Sequence, residues 1–251
     1  MKILGVEIDN VTKTEALGRV ENFLESKTQH KIFTPNPEML VDARRDHYFK
    51  KALNSGELNI PDGFGLSLVS FGKVKRMAGV DFMKDICKLA EQKKYSVYFL
   101  GSGSKEVVEN LKNNIQKQFP DLKIKGVHTG HEVKTLKVDE KIQLVLDKEK
   151  NNDLIADIVM HAPDILFVAF GHGKQEKWVY EYLRDLPSVK IAMGVGGAFD
   201  FLSGNKKRAP KWMRKMGLEW FYRLVNEPSR FRRIWKATVI FLYYSIFKKA
   251  H

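Results

Sequence analysis

The stretch NIPDGFGL, residues 59–66, holds a single carboxylate, Asp62, between a proline and a glycine. Two readings fit it. Pro-Asp-Gly is among the commonest turn tripeptides, in which the aspartate only shapes the chain. Alternatively, rigid Pro61 and permissive Gly63 hold a carboxylate where it can take a proton from a hydroxyl, the work of a general base. In TPNPEM, prolines restrict the backbone around Thr34 and Asn36. Both are neutral hydrogen bonders suited to orienting a sugar or a phosphate, and Asn36 is equally suited to cap the helix that Pro37 opens.

Three glycine-rich stretches add candidates. In LGSGS, Gly101, Ser102 and Gly103 follow an apolar run and precede a helical one. Such a turn lets backbone N–H groups approach a phosphate at a helix N-terminus. It is not the full dinucleotide fingerprint, because Glu106 stands where the third glycine would be, and a plain tight turn remains open. In FGHGKQEKW, Lys174, Gln175 and Glu176 fall in a first helical turn. Gln175 there can read a base edge or a sugar hydroxyl, or simply be a surface residue beside a dipole-favoured Glu176. In GVGGAFDF, the glycines permit close backbone approach and Asp200 can accept from a ribose or a base, or cap a helix. Metal chemistry is not expected. The chain contains no Asp-x-Asp, and His128, His131 and Glu132 of HTGHE have no third region to complete a site.

These residues need a frame, and the alternation of the chain supplies one. HKIFT (30–34), ELNI (57–60), YSVYFL (95–100), LKIKGV (122–127), DILFVAF (164–170) and VKIAMGV (189–195) read as strands. TKTEALGRVENFLES reads as a helix opened by a Thr12/Glu15 capping box. PEMLVDARRDHYFKKAL, DFMKDICKLAEQ, the run after GSGS and KIQLVLDKEKNNDLIADIVMHA (141–162) also read as helices. Strands alternating with helices predict a Rossmann-like α/β fold, a mainly parallel sheet covered on both faces. Ligands bind beyond the carboxyl ends of such strands, where the loops above fall.

A chain of 251 residues suits one large domain, or one domain with an appendage. The lone cysteine, Cys87, excludes an intrachain disulfide and fits a reducing compartment. Its apolar helical spacing makes it a buried small hydrophobe rather than a nucleophile. The start, MKILGVEIDN, is too short in apolar residues and too soon acidic for a signal peptide. No segment reaches the ~20 apolar residues of a spanning helix. Charge divides the chain. Residues 205–251 carry 13 Lys/Arg against two acids, Glu219 and Glu227, so they hold +11 of the net +13. Three of the four tryptophans, 212, 220 and 235, lie there too. The expected division is a catalytic domain, 1–204, and a basic aromatic C-terminal appendage, 205–251. Basic residues beside an aromatic face, without spanning length, suit an interfacial helix on anionic lipid. Nucleic-acid binding by the same charge is the weaker reading, and a helix pair that packs on the body or on another subunit is a third, compatible with membrane binding.

Taken together, TPNPEML, IPDGFG, RMAGVDF, FLGSGS, FVAFGHGKQEKW, GVGGAFDFLSG, KRAPKWM and GLEWFYRLVNEPSRFRR resemble, in content and order, the WecG/TagA/CpsF glycosyltransferases from about residue 3 to 235. The resemblance implies an inverting transfer of N-acetylmannosamine, or of another hexose or uronic acid, from a UDP donor. The implied acceptor is polyprenyl-diphosphate-linked N-acetylglucosamine, at the inner face of a bacterial cell membrane, in teichoic acid or capsule synthesis. It implies no cofactor and no nucleic-acid partner, and leaves a homo-oligomer open. It makes Asp62 the base on the acceptor hydroxyl, with Thr34 and Asn36 beside it. Arg76 stabilises the leaving diphosphate. Gly101, Ser102, Gly103, Gln175 and Asp200 lie on the UDP side. Arg223, Arg230 and Arg233 fold over the site toward the lipid diphosphate. Two rivals stand beside it. One is a nicotinamide-dependent oxidoreductase using the glycine turn. The other is a non-catalytic membrane-binding module in which the tail is the function. In FGHGKQE and GVHTGHE, His172, Gly173 and His131 replace the family's usual residues, which bears on the sugar donor.

Overall fold

A computed structural model describes residues 1–138 and 141–247. The last two tail lysines, Lys248 and Lys249, lie outside the described residues. The chain opens with a small hairpin, β1 (Lys2–Ile3) and β2 (Val6–Glu7), followed by α1 (Lys13–Glu25). Next come β3 (His30–Phe33), α2 (Pro37–Arg45), α3 (His47–Asn54), β4 (Leu58–Asn59), α4 (Phe64–Val69), α5 (Gly79–Lys93) and β5 (Ser96–Gly101). Then follow α6 (Lys105–Gln118), β6 (Lys123–His128), β7 (Val133–Val138), β8 (Lys141–Leu146), α7 (Lys148–His161) and β9 (Ile165–Ala169). The body closes with α8 (Lys174–Tyr182), β10 (Ile191–Gly194) and α9 (Ala198–Leu202). The tail holds α10 (Lys211–Lys215), α11 (Glu219–Asn226) and a continuous rod. That rod is α12 (Phe231–Trp235), a π-helical stretch Lys236–Ile240, and α13 (Phe241–Phe247).

Six strands form one sheet in the order β4-β3-β10-β9-β5-β6, and every pairing in it is parallel. The sequence dictates this. SVYFLG and ILFVA are apolar almost throughout and buried along their whole length, as strands covered on both faces must be. Alternate side chains then feed two cores. Tyr98, Leu100, Leu166 and Val168 pack with α2, α3 and α8 on one face. Val97, Phe99, Ile165 and Phe167 pack with α1, α5 and α6 on the other. The expected Rossmann-like α/β class is the one observed. Cys87 is fully buried on α5, and the Thr12/Glu15 capping box is present.

Two segments differ from the sequence reading. KIQLVL, expected to begin a helix, is strand β8, paired antiparallel with β7 from Val133↔Leu146 to Val138↔Lys141. Asp147 is the reason. Its Oδ1 accepts from the N–H groups of Glu149 and Lys150 and so starts α7 there, while the residues before it alternate and find a partner strand. PEMLVDARRDHYFKKAL, expected as one helix, breaks at Asp46. That residue leaves helical geometry (φ −112°, ψ 91°), and its Oδ1 caps α3 at Phe49. Its Oδ2 takes the ammonium of fully buried Lys177 at 2.6 Å.

The tail packs on the body. Phe241 is fully buried in the core beneath α2 and α4, and Arg44 of α2 lies 4.5 Å from the ring centre of Tyr244. No helix of the described residues is long and apolar enough to cross a membrane.

Candidate active site

The carboxyl ends of the parallel strands release the loops that carry the candidate residues. The turn after β4 is pinned from two sides. Asp62 N–H donates to Pro35 O at 2.9 Å, and Met77 N–H donates to Pro61 O at 2.8 Å. The turn therefore sits between the TPNP loop after β3 and the RMAGVD segment that starts α5. Gly63 is required there twice over. Its φ of +100° is unfavourable for a side chain, and a Cβ would lie 3.0 Å from Pro37 Cδ. A rigid turn thus holds Asp62 at the wall of a cavity of about 470 Å³.

The body supplies Asn36, Asp62, Arg76 and Gly79 to that cavity. The tail supplies Arg208, Glu219, Trp220, Arg223, Arg230, Arg233 and the apolar inner face of its rod. Five arginines and three carboxylates share the lining. Asp62 lies with Oδ1 4.0 Å from Arg76 Nε, a charge contact too long for a hydrogen bond. Burial pushes its proton affinity above the usual carboxylate range. The Arg76 and Arg223 charges, and the Gly79 backbone N–H, pull the other way without cancelling it. A carboxylate so placed is a stronger base than one in water.

The arginines are held by acids. Glu219, only 10% exposed at its side chain, accepts from Arg76 Nη2 at 2.6 Å and from Arg223 Nη2 at 2.8 Å. Burial alone would raise its pKa; the adjacent Arg223 charge and the Arg76 bond outweigh that and hold it low. Arg76 Nη1 also donates to Arg214 O at 3.0 Å. Arg230 donates to Glu227 at 2.6 Å, and Arg233 makes a two-pronged bond to Glu38, at 3.0 and 2.9 Å. Three lining arginines nevertheless keep a buried Nε–H with no hydrogen-bond partner among the described residues: Arg76, Arg208 and Arg223. Unmet guanidinium donors are costly unless an anion completes them.

The other candidates fall on neighbouring loops. Thr34 is buried against Gly79, where a Cβ would meet its Cγ2 at 3.1 Å, while Asn36 caps α2 through Met39 N–H at 3.1 Å. Gly101, Ser102 and Gly103 are all left-handed, with φ of +119°, +76° and +71°. Their N–H groups are partly spent inside the protein, Ser102 on Ala169 O and Gly103 on Thr129 O. Gln175 is buried. Its Oε1 accepts from Gly196 N–H at 3.0 Å and its Nε2 donates to fully buried Glu176 at 2.8 Å. Asp200 is tied to the cavity indirectly. Lys206 lies 3.6 Å from Asp200 and 3.5 Å from Glu227, the partner of Arg230. Among the described residues, the side chains able to gather round a cation are Glu38, Asp42 and His172, not the His128, His131 and Glu132 of HTGHE. Arg233 and Lys236 pair with those two carboxylates, at 2.9 and 2.8 Å.

Glu219, Glu38 and Arg208 were not singled out from sequence. Glu219 had a signal: it is one of two acids in a segment with 13 cations, which marks it as a specific partner rather than a solubilising charge.

A carboxylate beside arginines with unmet donors, at the carboxyl edge of a parallel α/β sheet, is an arrangement suited to phosphate-bearing ligands. Comparison with known proteins makes the class particular. The sequence profile of the glycosyl transferase WecG/TagA/CpsF family matches residues 1–251, and the chain belongs to that family. It is similar to proteins named N-acetylglucosaminyldiphosphoundecaprenol N-acetyl-beta-D-mannosaminyltransferase from three species. The Bacillus subtilis (strain 168) protein is 32% identical over 85% of this chain and 78% of its own length. The Bacillus spizizenii protein is 34% identical over 81% and 74%. The Staphylococcus aureus (strain MW2) protein is 29% identical over 96% and 90%. Membership of a glycosyltransferase family displaces both the oxidoreductase and the non-catalytic readings.

Proposed function

We propose that this enzyme transfers N-acetylmannosamine from a UDP donor to N-acetylglucosamine carried on a polyprenyl diphosphate. It does so with inversion and without a metal, in the synthesis of a teichoic acid or related surface polymer. The observation that carries the reading is the pairing, in one cavity, of Asp62 with arginines whose buried Nε–H donors lack partners. Asp62 takes the proton from the acceptor hydroxyl as its oxygen attacks the sugar carbon in line. The carbon–oxygen bond to UDP breaks, and its electron pair leaves with the diphosphate. Arg76, close to Asp62 and fixed by Glu219, stabilises that developing charge. Arg223, Arg230 and Arg233 then face the acceptor diphosphate. Thr34, Asn36 and the loops of Gly101, Ser102, Gly103, Gln175 and Asp200 form the donor side.

A lipid-linked acceptor also accounts for the tail. The exposed faces of α10 to α13 carry Trp212, Trp220, Phe221, Phe231, Trp235 and Tyr243 among basic residues. Such a surface suits peripheral binding at the inner membrane face, with the cavity turned toward the lipid. The test is a panel of UDP-sugars offered with a short-chain polyprenyl-diphosphate N-acetylglucosamine, with and without EDTA, products read by mass spectrometry. The reading requires a disaccharide product from UDP-N-acetylmannosamine at an EDTA-insensitive rate. No product from any donor overturns it.

A further inference from the structure

Resting on the lipid-linked acceptor proposed above, we infer that the turn ending α4 is a second membrane anchor, built into the body and separate from the tail, which inserts Phe71 into anionic bilayer. Phe71 is 93% exposed, the most exposed large apolar side chain among the described residues. It occupies a position that normally excludes it. Phe71 N–H donates to Leu68 O at 3.1 Å and Gly72 N–H to Ser67 O at 2.8 Å, the paired bonds that close a helix with a left-handed residue, usually glycine. Here that residue is the phenylalanine, at φ +53°, with the glycine one place later at +74°. The chain thus bears both backbone strain and an aromatic ring in water, and nothing among the described residues rewards either.

The turn is rigid, not frayed. Ser70 Oγ donates to Ser67 O at 3.0 Å and accepts from Val74 N–H at 3.1 Å, and Val74 is fully buried. Phe71 is therefore presented. Its neighbours favour lipid over a protein partner. Lys73 and Lys75 are exposed on the same turn, and no acid occurs between Asp62 and Asp81. Farther back on α4, half-exposed Phe64 and Leu68 line the cavity, and α13 of the tail packs against the same helix. One apolar edge thus runs from the cavity mouth to the turn, flanked by cations, the pattern of an interfacial anchor.

The test uses the full chain and vesicles of phosphatidylcholine with or without phosphatidylglycerol. Because Cys87 is fully buried, a nitrobenzoxadiazole label can be placed at Phe71→Cys, with exposed Asn113→Cys on α6 as the control. The label at 71 should brighten and shift to the blue with phosphatidylglycerol vesicles, and the one at 113 should not. Phe71→Asn keeps the left-handed backbone and should weaken vesicle binding by about tenfold, the value of partly burying one phenylalanine. Lys73→Gln with Lys75→Gln should weaken it by a similar factor only on the anionic vesicles. If the wild type binds vesicles but the label stays unshifted, or Phe71→Asn binds equally well, the inference fails while the lipid-acceptor reading stands. It fails also if Phe71→Asn changes self-association in sedimentation instead of lipid binding. If the wild type binds no vesicles, the inference and the membrane part of the proposed function fall together.

Discussion

Glu219→Gln isolates the joint between tail and body. The carboxylate accepts one bond from Arg76 of the body and one from Arg223 of the tail, at 2.6 and 2.8 Å. Bonds to charged groups contribute about 1.5–3 kcal/mol each, and breaking a fully buried ion pair costs about 3–5 kcal/mol. The arginines here are 20% and 36% exposed, so water recovers part of that. A glutamine oxygen can still accept one bond. A loss of about 2 kcal/mol remains, which is roughly a 30-fold rise in the population with the tail undocked. The tail is rich in lysine and arginine, so brief trypsin digestion reads that population when opening is fast compared with cleavage. Cuts between Arg223 and Lys236 should accelerate by that factor, while cuts in the sheet helices should not. In an Arg76→Gln background the same substitution should add little, because the bond is already lost. The pH sign follows from the lowered pKa of Glu219. Its contribution is full above the unfolded value of 4.5 and is lost as pH falls through the lower folded value, so tail protection should fade in acid below about pH 4.5. Wild-type cleavage rates in Glu219→Gln, or equal acceleration in the Arg76→Gln background, would refute the reasoning.

Other outcomes follow from the same geometry. Asp62 has a raised pKa in the fold, so its contribution to stability is largest at low pH and declines as pH rises above its ordinary 3.8. Asp62→Asn should therefore melt at or above the wild-type temperature at pH 7, with the gap closing toward pH 4 by calorimetry. Phe241→Ala removes a fully buried ring that anchors the rod. It should cost about 3–5 kcal/mol and lower the melting temperature by roughly 10 °C. Glu38→Gln should loosen Arg233, while Lys236 stays on Asp42, and raise KM for the lipid acceptor more than it lowers kcat, measured by varying each substrate in turn. Gln175→Ala leaves the Gly196 N–H and Glu176 Oε1 without the side chain that pairs them, while Glu176 Oε2 keeps the Gly173 N–H, and should cost about 1–3 kcal/mol in denaturant unfolding.

The parallel sheet was legible because long apolar runs such as SVYFLG and ILFVA must be covered on both faces. The Asp46 break and the β8 strand were hidden because in each case an aspartate cap was read as part of a helix that began earlier. At the cavity, sequence supplied Asp62, Arg76, Arg223, Arg230 and Arg233 but not Arg208, with the family resemblance carrying most of that weight. It did not supply Glu38 or Glu219. Their role depends on which cation the fold sets beside them, 195 residues away for Arg233 and 143 for Arg76. Composition locates a charge along the chain but not its partner across it. The buried state of Gln175 was likewise invisible, because it comes from Gly194 and Gly196 closing over it from the next strand's end.

The central claim is that Asp62 is the base. Its direct measurement is single-turnover transfer by Asp62→Asn, using UDP-N-acetylmannosamine and polyprenyl-diphosphate N-acetylglucosamine, with UDP binding followed on the same sample by calorimetry. Loss of transfer by at least about a thousandfold, within the range of general-base contributions, with UDP affinity within a few-fold of wild type, is the predicted result. Transfer within tenfold of wild type would contradict it and leave the Pro-Asp-Gly turn as no more than a turn.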